Sequence, residues 1–162
     1  MKKMTRLFRH ILGVTLLEIM LVLAIAALII VMSVRYFQSA STSQQATALM
    51  SQIQAIGAAM NSMSKGTSDY SGLTSASVAS IIPGGGLIPP WGGSAITVNA
   101  ANTKQGTFEI DIPNVPPGVC NLVAGELVSS TGWTAAPCTA GAVTPSWAVT
   151  YNANTAIGGS TT

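Results

Sequence analysis

The sequence predicts an α+β protein: a long N-terminal α-helix, half membrane-spanning and half amphipathic, packed on a C-terminal antiparallel β-sheet domain. Three observations carry this. Residues 14–34 form an apolar run with one charge, Glu18. Residues 35–65 continue without proline and repeat apolar side chains every three or four positions. Residues 66–162 are broken by glycine and proline, and three short segments there alternate apolar with polar.

The apolar run reads VTLLEIMLVLAIAALIIVMSV, 21 residues. As a helix it would be about 30 Å long, the thickness of a bilayer core. Lys2, Lys3, Arg6 and Arg9 precede it and Arg35 follows. That bias puts the N-terminus on the cytoplasmic side and exports the rest of the chain. A secretory signal peptide would have a shorter apolar core ending at a small-residue site, whereas this run passes into Arg35, Tyr36 and Phe37. A plain signal anchor fits the hydropathy and leaves Glu18 without a role. A carboxylate at the centre of a bilayer costs about 2.5–3.5 kcal/mol, less near the interface, and such residues within membrane helices are usually functional.

In the next segment Ala46, Leu49, Met50, Ile53, Ile56, Gly57, Met60 and Met63 fall on one helical stripe. This predicts an amphipathic helix to about Ser64, with Gly66 as the stop, its apolar face laid on a domain.

In the C-terminal part, residues 69–82 show no clear period. Residues 83–86 and 89–93 read as loops, and no lysine and hydroxyl follow the glycines to make a phosphate cradle. Three strands follow from alternation: Ile96, Val98 and Ala100; Phe108, Ile110 and Ile112; Trp147, Val149 and Tyr151. Glu109 and Asp111 share the opposite side of the second, a solvated strand face. Pro116 and Pro117 open a short helix carrying Cys120, with Leu122, Val123 and Leu127 available for packing. Cys138 lies in a turn beyond Trp133. With the tail exported, an oxidising compartment makes one Cys120–Cys138 disulfide the expected state; in the cytosol two lone thiols would carry little meaning.

Charge and side-chain inventory narrow the function. Beyond Gly13 three cations (Arg35, Lys65, Lys104) stand against five carboxylates (Glu18, Asp69, Glu109, Asp111, Glu126), which leaves no basic nucleic-acid footprint. The one histidine, His10, precedes Gly13. No nucleophile motif or metal-spaced cluster is present, so the expectation is a non-enzyme without metal or cofactor.

Gly13-Val14-Thr15-Leu16-Leu17-Glu18, after a short basic leader and before an unbroken apolar helix, resembles the prepilin peptidase site of type IV pilins and pseudopilins. The resemblance implies cleavage after Gly13, with residues 1–13 as leader peptide and Val14 as the mature N-terminus, a target for methylation. Residues 14–34 become the transmembrane and polymerisation helix, 35–65 its amphipathic continuation and 66–162 the globular pilin domain. Glu18 becomes the fifth mature residue, whose family role is to pair with the N-terminal amine of a neighbouring subunit. An α-amine has an ordinary pKa near 8, and a cationic partner offsets part of the cost of burying a carboxylate.

The tail, with PWGG before a strand, then FEIDIPNVPPGVCNLV and a later cysteine before a final strand, is similar to type IVb major pilins, above all those of conjugative-plasmid thin pili. Val14 departs from the phenylalanine that begins type IVa pilins. The implied function is the major subunit of a type IVb pilus for adhesion, cell contact, conjugation or biofilm formation. The implied partners are copies of the chain itself, prepilin peptidase, an inner-membrane assembly platform with its ATPase, an outer-membrane secretin and, before assembly, the membrane. The implied location is the inner membrane with a periplasmic domain, then an extracellular fibre. Two alternatives share features of the sequence: a type II secretion pseudopilin and a signal-anchored periplasmic binding protein.

Overall fold

The computed structural model describes residues 15–65, 67, 69–82, 87–100 and 106–156. In order they form α1 (Leu16–Met63), α2 (Ser75–Ile81), β1 (Thr97–Asn99), β2 (Thr107–Val115), α3 (Pro117–Val128), β3 (Trp133–Ala135), β4 (Thr144–Asn152) and α4 (Ala153–Ala156). The chain divides into two compact units, the first ending at Ala40 and the second beginning at Ser41.

From Leu16 onward the described part of the first unit is helix. Its side chains are apolar on every side, so it has no face to bury, and its large apolar residues from Leu16 to Phe37 are all exposed. The hydroxyl of Ser33 donates to the Ile29 carbonyl at 2.8 Å, so it needs no outside partner.

In the second unit α1 behaves differently. Ala46, Leu49, Met50, Ile53, Ile56, Gly57, Ala59 and Met60 are buried there. The predicted stripe is therefore the packed face, with Met63 half-buried at its end. The helix terminates at Met63, and Lys65 takes a left-handed φ of 51°.

The stripe joins one continuous core with the inner face of a four-stranded antiparallel sheet of order β1-β2-β4-β3. The cross-strand register explains that core. Phe108 stands opposite Tyr151, Ile110 opposite Val149, and Ile112 opposite Trp147. Each pair brings two apolar side chains together on one face, the unit of sheet stabilisation. The buried Trp147 indole donates Nε1–H to the Ala136 carbonyl at 2.7 Å, so its polar atom is satisfied.

The three expected strands are all present, and a fourth, β3, was not expected. It pairs Trp133 with Tyr151 and Ala135 with Val149, and is too short to show a period of its own. Residues 69–82 also contain a helix that the sequence left undefined. There Thr74 caps α2, accepting from the Ser77 backbone at 3.4 Å. Ser75 then ties α2 to the sheet, its Oγ accepting from Val98 N at 2.8 Å. The helix opened by Pro116 and Pro117 forms as expected, with Val123 and Leu127 buried. Leu122 corrects the sequence reading: it is exposed, on the outward side of α3.

Pro113 sits in β2 where a proline can be accommodated. β1 pairs with β2 only as far as Asp111, and the Pro113 carbonyl instead accepts the Trp91 indole N–H at 3.3 Å. Trp91 of the PWGG segment thus covers the end of the ladder.

Candidate functional site

Gly13 and Val14 lie outside the described residues. Glu18 lies in the first turn of α1, its backbone N–H donating to the Thr15 carbonyl at 2.8 Å. A carboxylate there meets the positive end of the helix dipole, an interaction worth about 0.3–1 kcal/mol near a surface. The side chain is exposed and stands among exposed Leu16, Leu17, Ile19 and Met20. Among the described residues around it, a single charge thus stands exposed within an otherwise apolar surface.

That surround extends along the unit. The most apolar eighteen-residue window of α1 has a mean hydropathy of 2.8 and no buried residue. The helix is long and apolar enough to cross a membrane.

On the second unit, Cys120 and Cys138 are joined as a disulfide, with Cα atoms 5.9 Å apart. Cys120 is buried on α3, and Cys138 is half-buried in the segment between β3 and β4. The bond therefore fastens an irregular segment to a helix whose own core face is Val119, Val123 and Leu127.

Glu109 and Asp111 are neighbours on the outer face of the sheet. Each lies between polar or small residues: Asn99 and Thr150 flank Glu109, and Thr97 and Ala148 flank Asp111. The Ser146 hydroxyl donates to the Asp111 carboxylate. Among the described residues no three histidine, cysteine or acidic side chains gather to hold a metal.

Two features went unassigned at the level of sequence. The aromatic pair Tyr36–Phe37 is among the most exposed surface of α1, at 79% and 73%. Its signal was present as two aromatics beside a cation at the end of an apolar run. The packing of Gly57 against Trp133, by contrast, joins residues far apart in the chain and left no local signal. Comparisons with protein-family models, with curated proteins and with solved structures find no match.

Proposed function

We propose that this chain is a type IV prepilin-like subunit, processed after Gly13, held in the membrane by its apolar helix and then polymerised into a surface fibre. The observation that carries the reading is the single carboxylate of α1, Glu18, which closes the Gly-Val-Thr-Leu-Leu-Glu word and lies in an exposed apolar segment. A helix of this kind is suited first to lipid and then to the equivalent helices of other copies. The exchange leaves its apolar surface out of water throughout. Glu18 then sets the register, because a carboxylate in an apolar bundle is stable only where a cation meets it. The Val14 amine created by cleavage supplies that cation.

In this reading the α+β body forms the fibre's outer surface, and the disulfide keeps it folded outside the cell without chaperones or ligands. The more specific assignment is a type IVb major pilin serving adhesion, cell contact or conjugation. It rests on the PWGG and FEIDIPNVPPGVC words together with the cysteine pair.

The test is mass spectrometry and N-terminal sequencing of sheared surface material from cells expressing the full chain with its assembly machinery. Filaments whose main component begins at Val14 are expected. An unprocessed Met1 terminus, or a mature chain beginning near Ala40, would reject the prepilin reading. Correct processing at Val14 with no filaments would favour the pseudopilin alternative.

A further inference from the structure

Three groups at the end of the apolar segment are used neither by the core nor by the register role of Glu18. Tyr36 and Phe37 project almost fully from α1, and Arg35 precedes them. With Met32, Ser33 and Ala40 the two rings line a shallow concavity along the helix.

We propose that Arg35, Tyr36 and Phe37 form a phospholipid-headgroup anchor, the two rings lying at the glycerol level and the guanidinium pairing with lipid phosphate where the chain leaves the membrane. The proposal rests on the membrane-spanning part of the functional reading and not on polymerisation.

Position is the first argument. Residues 16–34 rise about 28 Å as α-helix, which nearly fills a hydrocarbon core of about 30 Å. The next three residues therefore meet the interface. Chemistry is the second. Amphipathic rings concentrate at that level, and an arginine with an apolar stem extends its head to it. Below them Ser33 has its hydroxyl satisfied by Ile29, as lipid requires. Above them Gln38, Ser39, Ser41, Thr42, Ser43, Gln44 and Gln45 are polar and uncharged, as suits a wet surface.

Charge complementarity selects lipid over a second copy of the chain. On α1 the only carboxylate is Glu18, seventeen residues before Arg35. That is about 25 Å along a helix, so a copy inserted to the same depth presents no anion to Arg35 from this helix. The phosphate layer of the bilayer does.

The experiment places the full-length chain in phosphatidylglycerol vesicles and measures depth at position 36. Tyr36→Trp adds an emitter, and the native Trp91, Trp133 and Trp147 signal is subtracted using the unsubstituted chain. Lipids brominated at graded depths then quench it. Quenching of the introduced indole should peak about 15 Å from the bilayer centre, the edge of the hydrocarbon core. Adding Arg35→Glu should move that peak outward, because a carboxylate is repelled by the phosphate layer. A peak near the centre, or no quenching of the introduced indole by any lipid in chains that float with the vesicles, would overturn the anchor. An unmoved peak with Arg35→Glu would overturn the phosphate pairing. Failure of the unsubstituted chain to float with vesicles would instead overturn the membrane reading itself, and the anchor with it.

Discussion

Gly57 of α1 packs directly against the Trp133 indole of β3: a Cβ added to the glycine would stand 2.8 Å from Trp133 Cζ2. The ring has little freedom to retreat. Phe108 meets it edge-on at 5.9 Å between centroids, and Tyr151 lies at 4.8 Å. The missing side chain is therefore what lets the helix approach this corner of the sheet.

Replacing Gly57 with alanine should consequently invert the usual helix rule. In a helix interior the change ordinarily gains about 0.5–1 kcal/mol, whereas overpacking a core costs about 1–3 kcal/mol. A net loss of about 1 kcal/mol is expected for Gly57→Ala in urea unfolding of the detergent-solubilised chain. Combining it with Trp133→Leu should recover much of the clash, visible as non-additivity in a double-mutant cycle. A Gly57→Ala protein more stable than the parent would show that the indole yields freely.

Tyr70 predicts an alkaline limit on stability. Burial holds its phenol above the ordinary value of 10.0, and neighbouring Tyr151 adds to the effect. A raised acid pKa favours the neutral form in the folded protein. The contribution is therefore fully present below about pH 10, where neither state ionises. It is lost as pH rises, because the unfolded chain releases this proton first, until the raised folded value is passed. The Tyr70 hydroxyl also donates to Asn61 Oδ1. Tyr70→Phe should cost about 1 kcal/mol at neutral pH and should flatten the alkaline decline. Unfolding midpoints measured from about pH 7 to about pH 11, on either side of the ordinary phenol value, with tyrosinate absorbance followed in parallel, would show both. An equally steep decline in Tyr70→Phe would assign it to another group.

The disulfide closes a segment with a sequence separation of 18 between its cysteines. For a loop of that length, chain entropy assigns about 3 kcal/mol. Cys138→Ser should lose stability of that order and leave the buried Cys120 thiol slow to react with alkylating reagents. The native, unreduced chain should show no titratable thiol until it is unfolded and reduced. Two free thiols in exported material would contradict the bond.

On the proposed prepilin reading, Glu18→Val separates assembly from insertion. The change makes the membrane helix more apolar, so insertion should be undiminished, and cleavage after Gly13 should persist. The expected phenotype is processed, membrane-held subunit with a loss of most surface fibres, read by shearing and immunoblot at matched subunit levels. Normal fibre yield would remove the register role from Glu18.

Much of this architecture is legible from local pattern. The apolar run, the three-and-four stripe from Ala46 to Met60, the alternation in β2 and β4, and the proline-opened α3 each state their structure within a few neighbouring residues. Burial follows where the period is long enough to define a face. Glu18 stands out in the sequence as a candidate for a related reason, since one charge among apolar neighbours is conspicuous whatever surrounds it. The cysteine pair was legible once export was inferred, because two thiols in an oxidising space have each other.

Other features have no local signature. β3 is three residues long and exists because β4 offers a free edge to pair with. Leu122 looked like Val123 and Leu127 by composition, but α3 has one inward side, and the position of the core chose it. Gly57 could be placed on the apolar stripe, yet nothing near it in the chain announces Trp133. Periodicity records which side chains lie on the same face, because that depends on the backbone repeat of one element. Which faces meet, and how closely, depends on the shapes of elements distant in sequence and is settled only when they pack.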